Sequence, residues 1–341
     1  MISDAENLRG RHFTSSASRF GVVAIGRNEG ERLRRCLHSV LPLVPLTVYV
    51  DSESTDGSAE MAKRMGAQVV VLDMSRPFTA ARARNEGWRR LLELDPGVEY
   101  VQFVDGDCEV IGGWLGKARA YLDGHPEVAA VTGWRRERYP QRSTYNLLCD
   151  IEWASGPVGP TKAFGGDTMV RLSVLQQSGG YLETLIAGED DELCVRIRAA
   201  GWRIWRLDAE MTLHDAAMTR FSQWWRRSMR AGFAYAEGAR LHGAPPERHF
   251  VRESRSAWLW GLVLPTGILV AAASLTPVAL VGFALYPLQV LRLVLRTRGS
   301  MHQRVARAVF LMLGKLPEVA GLIKSLSHRL SGTRGHLIEY K

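Results

Sequence analysis

Between residues 20 and 134, short apolar runs alternate with amphipathic stretches, and that order constrains the fold more than any other feature of the chain. GVVAI (21–25) reads as a buried strand, and 29–41 as a helix with Leu33, Leu37, Val40 and Leu41 on one side. LTVYV (46–50) is the next strand and ends at Asp51. A helix over 57–65, a strand at AQVVVLD (67–73) and a helix over 79–93 follow. EYVQFVD (99–105), a helix over 112–122 and VAAVTGW (128–134) complete the series. This β-α alternation predicts an α/β domain with a mostly parallel central sheet and helices on both faces. Ligands of such sheets bind beyond the carboxyl ends of the strands. The segments at those ends are polar: GRNEGE, DSESTDG and DGDCE.

Residues 135–187 read as irregular, with Gly and Pro clusters. From Glu189 a helix is predicted through Leu193, Val195, Ile197 and Ala200, stopped at Gly201. WRIWRL (202–207) reads as a short strand. Residues 219–241 mix aromatic residues and arginines at helical spacing, a pattern suited to a membrane interface or equally to a helix packed on the globular domain.

Charge divides the chain. Residues 220–341 hold 18 Lys/Arg against 5 acids, and residues 1–219 hold 26 against 30. A basic segment touches nucleic acid or an anionic membrane surface. Ser256–Leu291 decides for the membrane: it has 36 residues without a charged side chain, and one crossing needs about 20 apolar residues. SLTP (274–277) splits it into segments of about 257–273 and 278–295, read as a hairpin. Arg252 and Arg255 flank one outer end, and Arg292, Arg296 and Arg298 the other, which puts both ends on the cytoplasmic side. Residues 304–326 read as one interfacial amphipathic helix. The N-terminal 20 residues are polar, with no secretory signal, and the four cysteines form no Cys-x-x-Cys pair. A disulfide scaffold and a thiolate zinc site are therefore not expected.

Chemistry concentrates at four places. Asp105-Gly106-Asp107 puts two carboxylates at a strand end, able to share a hard divalent cation such as Mg²⁺ or Mn²⁺; the bland reading is a solvated turn. Gly188-Glu189-Asp190-Asp191-Glu192 opens a helix, where acids are favourable anyway by about 0.3–1 kcal/mol each. Four successive acids repel each other, so one of them with a raised pKa is a candidate general base. Arg82, Arg84 and Asn85 begin another helix, suited to a diphosphate, with Arg84 the better candidate. His214 is a candidate third metal ligand, although a lone histidine is more often structural.

The series AIGRNEGERLRRCL, VYVDSESTDGS, ARARNEGW, FVDGDCE, FGGDTMVR and GEDDELCVRIRAAGW, in that order over about 20–235, resembles a family 2 glycosyltransferase with the nucleotide-diphospho-sugar-binding GT-A fold. The resemblance implies roles by position. Asn28 and Glu29 would border the nucleotide, and Asp51 would contact the nucleoside. Arg84 would lie near the donor, as would Asp105. Asp105 and Asp107 would form the Mn²⁺ or Mg²⁺ motif, with Asp107 the more direct ligand and His214 at another metal position. Asp190 would be the catalytic base of an inverting enzyme. Gly165, Gly166, Glu189, Gln223 and Arg226 would stand on the acceptor side. Processive synthases carry Gln-x-x-Arg-Trp, whereas Arg227 follows Arg226 here, so non-processive transfer is expected.

The implied partners are a nucleotide-diphospho-sugar donor, a lipid-linked or saccharide acceptor and membrane lipids, with no nucleic acid. The implied place is the cytoplasmic face of the bacterial inner membrane, in polysaccharide or cell-envelope synthesis. A polyprenyl-phosphate sugar synthase and a catalytically inactive membrane scaffold are the alternatives. The expected organisation is a flexible N-terminus (1–18), a catalytic domain (19–218) and an interface helix with linker (219–255), then a hydrophobic hairpin (256–298) and an amphipathic helix with basic tail (299–341).

Overall fold

The computed structural model describes residues 19–332; the expected N-terminal segment 1–18 and the last nine residues of the basic tail lie outside the described residues. The first strands form where expected: β1 (Phe20–Gly26), β2 (Thr47–Asp51), β3 (Gln68–Val71) and β4 (Tyr100–Asp105). They lie side by side as β3-β2-β1-β4, all parallel. Helices α1 (Glu31–Val40), α2 (Ser58–Arg64) and α3 (Ala80–Leu94) connect them.

Alternate residues of the central strands feed two separate cores. Val23 and Ile25 pack on one face with Val48, Val50 and Phe103, while Val22 and Ala24 pack on the other with Tyr49 and Val104. A strand covered on both faces reads as a continuous apolar run, which is why GVVAI shows no alternation.

Beyond β4 the sheet is mixed. β5 (Cys108–Val110), α4 (Trp114–Gly124) and β6 (Val128–Glu137) come next in the chain. The stretch expected to be irregular folds into α5 (Thr144–Trp153), β7 (Gly159–Pro160), β8 (Thr168–Arg171) and α6 (Leu172–Ser178). β8 runs antiparallel between β4 and β6. It has four residues, too few to show a period. After α7 (Glu189–Ala199), β9 (Arg203–His214) is twice as long as WRIWRL suggested, pairs parallel with β6 and antiparallel with β5, and delivers His214 beside Cys108.

Helix α8 (Phe221–His242) leaves the sheet domain. A helix over Val251–Ser274 and a second over Pro277–Arg296 are long and apolar enough to cross a membrane, by length and composition. Only 17% and 6% of their most apolar windows are buried, so neither is an ordinary core helix. The amphipathic stretch is two helices, Met301–Leu313 and Lys315–Leu330, separated at Gly314. They do not float free of the domain. A Cβ on Gly232 of α8 would stand 2.0 Å from the Glu318 carbonyl oxygen, and one on Gly321 would stand 2.1 Å from that of Met229. Absent side chains thus allow the last helix to lie directly on the backbone of α8. Phe310 meets Tyr145 and Trp224 edge-on, at centroid distances of 5.8 and 5.0 Å.

Candidate active site

The carboxyl ends of β1 and β4, the start of α7, and one face of α8 enclose a cavity of 1030 Å³. Asp105, Asp107, Asp190 and His214 all line it, although Asp190 lies more than 80 residues beyond the aspartate pair.

Arg84 is the hub. It emerges from the first turns of α3, where Thr79 caps the helix by accepting from the Arg82 amide, and it is buried. Nη2 donates to Asp105 Oδ1 at 2.9 Å, and Nη1 donates to Glu189 Oε1 at 2.8 Å. Asp190 Oδ1 is 3.4 Å from the same Nη1. Burial alone would lower the guanidinium pKa, but Asp190, Asp105 and Glu189 raise it and keep it charged. Arg82 turns the other way and donates to the Arg76 carbonyl.

A second arginine completes the cradle. Arg135 on β6 donates from Nη2 to Asp105 Oδ2 at 3.2 Å and from Nε to Asp167 Oδ2 at 2.9 Å. Asp167 Oδ1 accepts the Asp105 amide at 3.0 Å, and Thr212 donates to Oδ2 at 2.6 Å. Asp105 is therefore fixed between two arginines. The loop before β8 must pass very close: a Cβ on Gly166 would stand 2.5 Å from Arg84 Nη2 and 2.6 Å from Asp105 Oδ2. Gly165 lines the same cavity.

Asp107 is turned toward β9. Its Oδ2 is 3.2 Å from His214 Nε2, both side chains are buried, and Trp153 meets the imidazole edge-on at 4.4 Å. Asp107, Cys108 and His214 each offer a ligand atom within 4.8 Å of one another. Burial raises the Cys108 thiol well above its ordinary pKa, and a hard divalent cation takes oxygen and nitrogen donors before sulfur. A carboxylate oxygen and an imidazole nitrogen remain, a donor set that suits a divalent cation such as Mn²⁺. The residues present fit such an ion, with Asp105 positioned by its arginines.

Asp190 sits in the first turn of α7, after Gly188 with φ 78°. Its pKa is pushed up to about 8, first by burial, then by Glu189, Asp105 and Asp191 against the opposing pull of Arg84. Among the described residues, its buried Oδ1 accepts no hydrogen bond. A half-buried carboxylate with a raised pKa, facing a cavity, can take up a proton from a bound hydroxyl.

The other expected positions divide. Asn28, at φ 55°, lines the cavity and ties two loops together: its Oδ1 accepts the Thr55 amide at 2.7 Å and its amide donates to Ser54 at 2.9 Å. Glu29 also lines the cavity and pairs with Arg32. Asp51 is buried beside Gly26, where it accepts from Tyr49, the Ser54 amide and the Ser54 hydroxyl, while its neighbour Ser52 reaches the cavity. Glu189, expected on the acceptor side, lines the cavity and pairs with Arg84.

Gln223 and Arg226 are not brought to the cavity. Gln223 Oε1 accepts the Thr219 and Arg220 amides at the start of α8, which uses it as a cap, and Arg226 is exposed. One residue further round the helix, Arg227 lines the cavity and donates twice to Glu152. Arg135 and Asp167 were not expected from the sequence. Asp167 stands in FGGD, directly after the glycine pair.

Residues 22–165 match the family model described as glycosyl transferase family 2. Residues 22–165, less than half of the chain, therefore carry the glycosyl transferase family 2 signature. The chain is 28% identical over 211 residues to the succinoglycan biosynthesis protein ExoA of Rhizobium meliloti (strain 1021), a match over 57% of this chain and 62% of that protein, so it spans less than two thirds of that relative. It is 29% identical over 198 residues to the uncharacterized glycosyltransferase Mb0553 of Mycobacterium bovis, over 55% of this chain and 82% of that one. Among solved structures, the mannosyltransferase PcManGT from Pyrobaculum calidifontis, in complex with GDP-Man and Mn²⁺, superposes with a TM-score of 0.62 at 22% identity, covering 90% of this chain and 87% of that one. At that identity the likeness shows the fold, and the chain has the GT-A-like mixed sheet flanked by helices.

Proposed function

We propose that the protein is an inverting, metal-dependent, non-processive glycosyltransferase. In this reading it moves one sugar from a nucleotide-diphospho-sugar to a hydroxyl of a lipid-linked saccharide, at the cytoplasmic face of a bacterial membrane. The observation that carries the reading is the convergence of Arg84, Asp105, Asp107 and Asp190 on one cavity at the carboxyl edge of the sheet. The PcManGT complex contains GDP-Man and Mn²⁺, and ExoA is named for succinoglycan biosynthesis; both accord with a nucleotide-sugar donor and an envelope or exopolysaccharide product.

Asn28, Glu29 and the Asp51–Ser52 turn border the donor nucleotide. Asp107, with His214, holds the divalent cation, and Asp105 orients the donor from between Arg84 and Arg135. When bound, such an ion offsets negative charge on a leaving diphosphate. Asp190 accepts the proton of the acceptor hydroxyl as its oxygen attacks the anomeric carbon from the face opposite the diphosphate. The bond to the diphosphate breaks, the electron pair leaves with it, and the configuration inverts. Positioned general-base catalysis is worth about 10²–10⁴ in rate.

The two apolar helices and the basic residues at their outer ends support membrane attachment. Basic residues near an anionic surface contribute about 1 kcal/mol each. Transfer from a panel of nucleotide sugars, with Mn²⁺, Mg²⁺ or EDTA, tests the reading, with the anomeric configuration of the product read by proton NMR. Metal-stimulated transfer with inversion is expected. Retention, or full transfer in EDTA, would overturn it.

A further inference from the structure

The cavity does not end at the carboxylate cluster. Its far wall is built by α8 and the helix Met301–Leu313, and it carries Arg230, Arg307 and an apolar surface that includes Trp224 and Phe310. Arg230 and Arg307 come from different helices and are half-buried. Among the described residues neither makes an ion pair, although Arg307 stands within electrostatic reach of Glu152. Both oxygens of Glu152 are already taken by Arg227, at 2.8 and 2.9 Å. Two guanidinium groups drawn partly out of water into one cavity, without an ion-pair partner among the described residues, favour an anion there, and phosphate oxygens match the planar donor fork of arginine.

The surroundings specify what the anion is attached to. On Met301–Leu313, Val305, Val309 and Leu313 recur every four residues and are exposed. Arg307, Phe310 and Leu311 of the same helix turn to the cavity. An apolar stripe open to the surroundings thus lies beside the wall that carries the arginine. A free phosphate compound has no use for such a stripe, whereas an amphiphile would follow it.

We propose that Arg230 and Arg307 form the acceptor phosphate site, which binds a phosphate or diphosphate carrying an apolar chain. The chain lies along the aromatic wall toward the exposed face of Met301–Leu313, and the sugar end points to Asp190. This rests on the glycosyltransferase reading above, and it names the acceptor class of that site.

The test is binding by the full-length chain in detergent with EDTA, read by quenching of tryptophan fluorescence, since Trp153 and Trp224 line the wall. The probes are farnesyl diphosphate, inorganic pyrophosphate and farnesol. Farnesyl diphosphate is expected to bind at least tenfold more tightly than either of the others. R230Q/R307Q should weaken it at least tenfold, and R230K/R307K, which keeps the charges, should restore most of the loss. Undiminished binding by R230Q/R307Q overturns the proposal, and so does a charge-retaining variant as weak as the glutamine pair. Equal binding of pyrophosphate and farnesyl diphosphate overturns the lipid source in favour of a soluble phosphorylated acceptor. Separately, metal-stimulated hydrolysis of a nucleotide sugar by the wild-type chain reports on the glycosyltransferase reading. If that hydrolysis occurs while the arginine pair proves irrelevant, only the acceptor site falls.

Discussion

Arg84 donates to Asp105 across 2.9 Å, and this contact ties the first turns of helix α3 to the end of strand β4. The same guanidinium reaches Glu189 and Asp190 on α7. Three segments distant in sequence are thereby held in one frame by one buried charge.

Arg84→Ala is expected to cost stability as well as transfer. It would leave Asp105, Glu189 and Asp190 facing each other without their shared cation, and breaking one side of a buried ion pair costs about 3–5 kcal/mol. Thermal unfolding and donor turnover should both fall. Arg84→Lys, which keeps the charge but not the fork, should recover more of the stability than of the transfer.

The acids of α7 predict opposite responses to pH in activity and in stability. As the proposed base, Asp190 acts deprotonated, and with its pKa pushed up to about 8, kcat/KM should rise with pH and level off above that value. A profile that is flat from pH 6 to 9 would remove Asp190 from the role of base.

Asp191 bears on stability. Burial first, then Glu189 and Glu253, raise its pKa to about 7 against the pull of Arg198. An unfolded aspartate titrates near about 3.9. Between these values the folded chain holds a proton that the unfolded chain has released, so this group's contribution is present in acid and is lost as pH rises through about 7. Asp191→Asn should raise the melting temperature at pH 8 and leave it unchanged at pH 4, as thermal melts at the two values will show.

The contact between α8 and the last helix makes a further prediction. Gly232→Ala places a methyl group 2.0 Å from the Glu318 carbonyl, so the helices must separate. Overpacking of this kind costs about 1–3 kcal/mol. Faster proteolysis between 297 and 330, with the sheet domain intact, is the expected readout.

The features legible in the sequence are those written locally. DGD closes a buried strand, and GEDDE opens a helix, so both announce themselves within a few residues. Arg135 and Asp167 meet Asp105 only after β8 has inserted between β4 and β6, and no window of sequence contains that pairing. Gln223 and Arg226 show the reverse: their spacing matched a motif, but the helix begins at Phe221, which turns Gln223 into a cap and Arg226 to solvent. The stretch 304–326, read as one amphipathic helix, ends one helix at Leu313 and starts another at Lys315.

The central claim is that carboxylates from β4 and α7 act together on one donor and one acceptor. Asp190→Asn tests it most directly when transfer and donor binding are measured on the same preparation with Mn²⁺. Transfer should fall by about 10²–10⁴ while donor affinity stays within a few-fold of wild type. An Asp190→Asn protein with full transfer would contradict the account and favour a phosphate acceptor that needs no base.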